Sequence, residues 1–134
     1  MQYSQIIDAA LQVRSLAYAP YSKFKVGAAL LTKSGEIFVG CNVENISFGL
    51  TICAERAALS NAISQGGKDF EAIAIVTDSP ELAMPCGACR QVLAEFNPKM
   101  AIIVSTVAGE VQQFQLNELL PRPTHGILEG RSNV

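Results

Sequence analysis

The chain has 134 residues, a net charge of -2 and a pI of about 5.3, which argues against a nucleic acid polymer as its main partner because no basic surface is evident. Hydrophobic residues make up 49% of it, so we expect one folded domain over residues 1–134 with apolar surface left for contact between subunits. No apolar run reaches the length of a membrane span, and no secretory signal precedes the first helix, so a cytoplasmic location with reduced cysteines is expected.

The spacing of apolar residues predicts helices that alternate with strands. An amphipathic helix is predicted over residues 4–18, with Ser4 as its N-cap. Further helices are predicted over 53–64, 85–96 and 117–120, and strands over 26–32, 36–43, 72–77, 101–106 and 111–115. The segment 72–77 is apolar throughout, which is typical of a strand buried on both faces. This order favours an α/β fold, a three-layer α/β/α sandwich with a mixed sheet of about five strands.

Two short stretches contain three cysteines and a carboxylate. They are CAER at residues 53–56 and PCGACR at 85–90. Three thiolates suit a tetrahedral zinc whose fourth position stays open for water, the arrangement of catalytic rather than structural sites. Glu55 lies close enough to Cys53 to reach that water without binding the metal. The pattern resembles the signature of zinc-dependent nucleobase deaminases, which implies that Glu55 carries protons to the substrate ring and to the leaving amine.

The three cysteines lie at or near the predicted starts of two helices. Cys53 lies at the start of one helix, and Cys86 and Cys89 lie in the first turn of another, on one face. Helix N-termini favour negative charge and lower the pKa of thiols, so two of them aimed at one point would hold three thiolates. Such a zinc site has an excess of negative charge, and we expect Arg56 and Arg90 to offset it by donating hydrogen bonds to sulfur.

The same residues also allow structural interpretations. The three cysteines could belong to the core, or Cys86 and Cys89 could form a redox pair. The agreement of Glu55, Pro85 and both spacings with one signature favours the zinc site. The fourth cysteine, Cys41, lies in an apolar strand and is predicted to be a core residue rather than a ligand.

Over nearly its whole length the chain is similar to the small, homotetrameric cytidine deaminases. Besides the zinc motif, the resemblance rests on YAPYSKF at 18–24, VGAAL at 26–30 and GCNVEN at 40–45. It implies hydrolytic deamination of cytidine and deoxycytidine to uridine, deoxyuridine and ammonia, in pyrimidine salvage, with one Zn²⁺ per chain. The implied partners are a pyrimidine nucleoside and three further copies of the chain.

The resemblance also implies a set of substrate contacts. Asn42 and Glu44 would bind the sugar 3'-hydroxyl, and a buried pair of this kind discriminates against a substrate that lacks the hydroxyl. Phe24 would pack against the pyrimidine, and backbone near Ala54 would help to hold the base. Phe48 is expected in the wall of the binding pocket.

The chain departs from the family pattern at three places. Ile46 stands where the family has a small residue, Phe48 replaces a common tyrosine, and the segment 122–126 lacks the usual aromatic residue. In the family, that tyrosine is placed near Tyr21 of a neighbouring chain, so the contact between subunits is expected to be more apolar here. His125, the sole histidine, lies in a polar and weakly patterned tail and is expected to be exposed.

Three classes of function remain open at this point. The first is the deaminase of cytidine and deoxycytidine. The second acts on a modified cytosine nucleoside, such as blasticidin S or an N4-substituted cytidine, and the altered region 46–48 keeps it open. The third is a zinc-stabilised binding domain without catalysis, against which Glu55 and the lack of an evident fourth ligand argue, since a closed structural site needs four.

Overall fold

The secondary structure alternates between helices and strands, as the sequence predicts. The protein is described by a computed structural model that covers residues 2–123. The helices are α1 (Ser4–Arg14), α2 (Ala54–Ser64), α3 (Gly87–Ala94) and α4 (Leu116–Leu119), with a 3-10 turn at Phe48–Leu50. The strands are β1 (Val26–Thr32), β2 (Ile37–Cys41), β3 (Phe70–Thr77), β4 (Ala101–Thr106) and β5 (Val111–Gln115). None of the helices in this part of the chain has both the length and the apolar character needed to cross a membrane.

The strands form one mixed sheet in the order β2-β1-β3-β4-β5. Only β3 and β4 are parallel, and α3 lies in the connection between them. The other neighbouring pairs are antiparallel, so the start of β1 lies beside the end of β3, with Val26 opposite Thr77. The predicted α/β fold with a mixed five-stranded sheet is therefore confirmed.

Alternate residues of the central strand β3 enter two separate cores. Ile73 and Ile75 pack in the core that contains residues of α2, α3 and α4. Ala74 and Val76 pack in the opposite core, which is closed by Ile6 and its neighbours on α1. Because side chains alternate across a strand, helices on both faces require apolar residues at nearly every position of β3. The predicted burial of this strand on both faces is confirmed, and the layers are α, β and α.

Several predicted boundaries were wrong. Helix α1 ends at Arg14 rather than at residue 18, because Tyr18 pairs with the chain after β2: its N–H donates to Asn42 and its carbonyl accepts from Glu44. The N-cap of α1 is Tyr3 rather than Ser4, which is the first helical residue. The strand predicted over 36–43 covers only Ile37–Cys41.

The site helix predicted from Pro85 begins two residues later. Its first helical residue is Gly87, Cys86 is its N-cap, and it ends at Ala94 rather than near residue 96. The prediction for the tail, including the exposure of His125, lies outside the described residues.

The backbone of helix α2 packs directly against Gly40 of strand β2. A Cβ atom added to Gly40 would lie 2.2 Å from the backbone nitrogen of Ala58 in α2. Real Cβ atoms do not approach backbone so closely, and the backbone of a helix cannot move aside as a flexible side chain can. The small size of Gly40 thus determines the position of the helix that begins after Cys53.

We expect Gly40→Ala to destabilise the fold by about 1–3 kcal/mol, because the added methyl group overpacks the contact between β2 and α2. Urea unfolding monitored by circular dichroism measures the change. Ser60→Ala is the control, since Ser60 is an exposed residue of the same helix α2. It should change the stability by less than about 0.5 kcal/mol. Equal stability of the two variants would show that α2 tolerates displacement from β2.

Candidate active site

Two helix N-termini bring the three predicted ligands together. Cys53 is the N-cap of α2 and has an extended backbone, with φ of -70° and ψ of 152°. Cys86 is the N-cap of α3, and its sulfur accepts a hydrogen bond from the N–H of Cys89 at 3.5 Å. The three Sγ atoms lie within 4.8 Å of one another, and those of Cys86 and Cys89 are 3.5 Å apart. The sequence placed these thiols at helix starts, and the structure gathers them at one point.

The three cysteines differ in exposure. Cys89 is buried, Cys53 is half-buried and Cys86 is exposed, and all three are free thiols. Among the described residues, the only group of at least three metal-binding side chains at this spacing is this one. A cluster of three sulfurs that is buried on one side and open on the other suits a zinc ion with an accessible fourth position.

The thiols are electrostatically distinct. A hydrogen bond from Cys89, supported by the guanidinium of Arg56, lowers the pKa of Cys53 to about 5, although burial acts in the opposite direction. The same hydrogen bond, together with burial, raises the pKa of Cys89 far above that of an ordinary thiol. These shifts favour the thiolate on Cys53 and the protonated thiol on Cys89, and metal binding would release the protons that the ligands hold.

The two arginines have different partners. The Nη2 of Arg56 donates to the sulfur of Cys53 at 3.4 Å, as the sequence predicts. Arg90 was also expected to bond to sulfur, but the hydrogen bonds it makes in the described structure go to two backbone carbonyls, those of Pro85 at 2.8 Å and Leu119 at 3.1 Å. The side chain of Arg90 therefore fastens the residue just before Cys86 to α4 rather than neutralising a thiolate.

Glu55 lies beside the cysteines in the first turn of α2. Its side chain is buried, with 5% of its surface exposed. Burial raises the pKa of the Glu55 carboxyl, and the negative charge of Cys53 acts in the same direction. A carboxyl whose pKa is moved upward from its usual acidic range is suited to accept and return a proton near neutral pH.

A cavity of about 220 Å³ opens beside Glu55, Cys53 and Cys86. Three of the predicted substrate residues line it: Phe24, Asn42 and Ala54. Its other lining residues were not identified from the sequence, namely Val26, Thr51, Ile75, Thr77, Ala83 and Met84. Thr51, Ala83 and Met84 lie within two residues of the cysteine motifs, which is the one sequence signal that could have pointed to them.

Glu44 and Phe48 lie in a neighbouring cavity. This second cavity has a volume of about 330 Å³ and is also lined by Tyr21, Ser22 and Thr51. Thr51 is common to both cavities. The predicted substrate contacts therefore fall into two groups. Phe24, Asn42 and Ala54 line the cavity beside the thiols, whereas Glu44 and Phe48 line the second cavity.

Comparison with known proteins identifies the family. Residues 1–105 match the family described as the cytidine and deoxycytidylate deaminase zinc-binding region. The chain is 48% identical to a cytidine deaminase of Halalkalibacterium halodurans, over 90% of this chain and 92% of that one. It is 44% identical to a cytidine deaminase of Sporosarcina psychrophila, over 90% of both chains.

Solved structures lead to the same family. The crystal structure of cytidine deaminase from Burkholderia pseudomallei is 47% identical in sequence, with a TM-score of 0.86 over 90% of this chain and 98% of that one. The chain belongs to the cytidine and deoxycytidylate deaminase family. Its cofactor is zinc, because the family is defined by a zinc-binding region and the three cysteines are placed to bind a metal ion.

We expect purified protein to contain about one zinc per chain and Cys86→Ala to lose it, because two thiols cannot hold the ion in the way that three do. Elemental analysis of both proteins measures the metal content. Cys41→Ala is the matched control, since Cys41 lies in β2 and is not part of the thiol cluster. Full zinc content in Cys86→Ala, or activity of wild-type protein without zinc, would contradict this assignment.

Proposed function

We propose that this chain, folded as one domain, catalyses the zinc-dependent hydrolytic deamination of cytidine and deoxycytidine to uridine, deoxyuridine and ammonia. The observation that carries the proposal is the placement of a buried carboxyl, Glu55, in one cavity with Cys53, Cys86 and the aromatic ring of Phe24. Membership of the deaminase family supports it. We place the reaction in pyrimidine salvage and in the cytoplasm, where thiol ligands stay reduced.

The reaction needs an activated water and a group that moves protons. When bound by Cys53, Cys86 and Cys89, zinc supplies the activation of water at neutral pH. Glu55 takes one proton from the attacking water and delivers it to the ring nitrogen next to the attacked carbon. It then takes the proton of the hydroxyl now on that carbon and passes it to the amino group, so that ammonia leaves and the carbonyl forms. Because one carboxyl acts in both directions, its fixed position in the first turn of α2 matters as much as its pKa.

Phe24 and Asn42 suit the recognition of a nucleoside. In this proposal the ring of Phe24 packs against the pyrimidine in the cavity that holds Glu55. The amide of Asn42 is partly used inside the protein: its Oδ1 accepts from the N–H of Val26 at 2.9 Å and its Nδ2 donates to the carbonyl of Phe24 at 2.8 Å. One N–H of Asn42 and one lone pair of its carbonyl oxygen stay available for a substrate.

The carboxylate of Glu44 is also partly occupied by hydrogen bonds within the protein. Its Oε1 accepts from the N–H groups of Tyr21 and Ser22 at 3.0 and 3.1 Å, and its Oε2 accepts from the hydroxyl of Ser22. One acceptor position on Oε2 is then left. A free donor on Asn42 and a free acceptor on Glu44 match the two bonds of one hydroxyl, which supports the sugar 3'-hydroxyl as the group that they bind.

An absorbance assay across cytidine, deoxycytidine, cytosine and blasticidin S tests the proposed function. We expect rapid turnover of the two nucleosides and much slower turnover of cytosine, which lacks the sugar. Preferred turnover of blasticidin S would favour a deaminase of modified nucleosides instead. No turnover of any of the four by zinc-loaded protein would contradict a deaminase.

We expect Glu55→Gln to keep the fold and the zinc but to lose roughly 10²–10⁴-fold in kcat, since an amide cannot carry the proton. The kinetics are measured with cytidine on protein whose zinc content and unfolding midpoint match those of the wild type. Turnover within a few-fold of the wild-type value would show that another group moves the proton.

We further propose that the chain assembles into a homotetramer whose active sites are completed across subunit boundaries. Three apolar side chains of the loop before α2 are strongly exposed in the single chain: Ile46 at 79%, Phe48 at 74% and Leu50 at 67%. Burial against another subunit would contribute about 1.5–3 kcal/mol for each. Phe48 packs edge-on against Tyr21 of its own chain, with ring centroids 6.2 Å apart, so this loop and the second cavity form one surface.

We expect Phe48→Ala to weaken assembly and activity together and Phe48→Tyr to be tolerated, because tyrosine keeps the apolar ring. Analytical ultracentrifugation at micromolar protein, with kinetics on the same samples, measures both properties. Leu16→Ala is the matched control, since Leu16 is equally exposed, at 75%, but lies outside this loop. A fully active wild-type monomer would refute a site shared between subunits.

A further inference from the structure

The segment that carries Phe24 has an unfavourable backbone conformation beside it. Lys23 has φ of 62°, and within residues 2–123 it shares a positive φ with only one other residue that is not glycine, Asp69. Residues with a side chain disfavour this left-handed region, so the surrounding contacts must hold Lys23 there. The next residue is Phe24, whose ring lines the cavity with Glu55.

The contacts that hold this segment pass through the hydroxyl of Ser22. The N–H of Phe24 donates to Ser22 Oγ at 3.0 Å, and the hydroxyl of Ser22 donates to Oε2 of Glu44. The direction is unambiguous, because an ionised carboxylate only accepts and a hydroxyl has a single proton to donate. The hydrogen bond from Ser22 also lowers the pKa of the Glu44 carboxyl, which keeps that acceptor charged. Chains of this kind strengthen each other's hydrogen bonds.

The backbone of Phe24 is held on its carbonyl side as well. Its carbonyl accepts from Nδ2 of Asn42 at 2.8 Å, and Asn42 is buried. The backbone of Phe24 is therefore held on one side through Ser22 and Glu44 and on the other by Asn42. The two side chains proposed to bind the sugar are thus the same two that determine where the ring of Phe24 lies.

We propose that Ser22 is a positioning residue for the nucleoside, whose hydroxyl joins the carboxylate of Glu44 to the backbone of Phe24 and so couples the sugar contact to the base contact. This proposal rests on the proposed function. Ser22 lines the second cavity and not the one that contains Glu55, so it acts on the base through Phe24.

Steady-state kinetics with cytidine test the proposal on the zinc-loaded protein. We expect Ser22→Ala to raise KM about fivefold to twentyfold, the effect of losing one hydrogen bond to a charged group near the surface. We expect kcat to change less than about threefold, because Glu55 and the thiols keep their places. Ser22→Thr keeps the hydroxyl and should restore KM to within about twofold of the wild-type value.

The matched control is Ser34→Ala. Ser34 lies in the turn between β1 and β2, where its hydroxyl also contacts a glutamate, Oε1 of Glu36 at 3.3 Å. It should leave KM unchanged. Equal increases in KM for Ser22→Ala and Ser34→Ala would show a general loss of stability and would overturn the positioning role.

A double-mutant cycle with Phe24→Ala identifies the route of the effect. If Ser22 acts through the ring of Phe24, Ser22→Ala should change KM by less than about twofold once that ring is absent. An undiminished effect in the Phe24→Ala background would overturn the proposal, since Ser22 would then act directly through Glu44.

The activity of the wild type distinguishes failure of the proposed function from failure of the role of Ser22. A wild type that neither binds nor deaminates cytidine overturns the proposed function, and this proposal with it. An active wild type whose KM is unchanged by Ser22→Ala overturns the role of Ser22 alone.

Discussion

The site depends on one constraint, which is that two helices must begin at the same point in space. The N-caps of α2 and α3 are both cysteines, and their sulfurs, with that of Cys89, lie within 4.8 Å. Concentrating negative charge in this way is unfavourable unless positive partial charges surround it. Two helix N-termini and the guanidinium of Arg56 provide them. The mixed sheet makes the arrangement possible because it holds α2 and α3 on the same face.

The polar residues of the interior are concentrated where the chemistry is proposed. The core on either side of the sheet is almost entirely apolar. Of the six buried polar residues in the range 2–123, three line the cavity beside the thiols: Asn42, Glu55 and Thr77. Burying such groups costs free energy unless each is paired. Local exceptions to the rules of core packing tend to mark functional sites, and here they coincide with the zinc motif.

The loop between β2 and α2 holds a neighbouring segment in place and is also proposed to bind the sugar, and the same side chains serve both purposes. Glu44 uses three of its four acceptor positions and Asn42 two of its four hydrogen-bonding positions to hold the segment 21–26, and both keep a position free for a ligand. A side chain that is already fixed by the protein loses little freedom when it binds a substrate. Ile46, Phe48 and Leu50 of the same loop are apolar and exposed, so their proposed burial between subunits would also fix the wall of the second cavity.

The sequence by itself determined the order of elements, the mixed sheet and the identity of the zinc ligands, because these follow from local apolar spacing and from two short motifs, each with its residues close together in the chain. It did not determine the end of α1, which depends on pairing between Tyr18 and the chain after β2. It also assigned Arg90 to sulfur, whereas the distant carbonyl of Leu119 competes for its guanidinium. The link from Glu44 through Ser22 to Phe24 joins residues about twenty positions apart, and only tertiary structure brings such partners within hydrogen-bond distance.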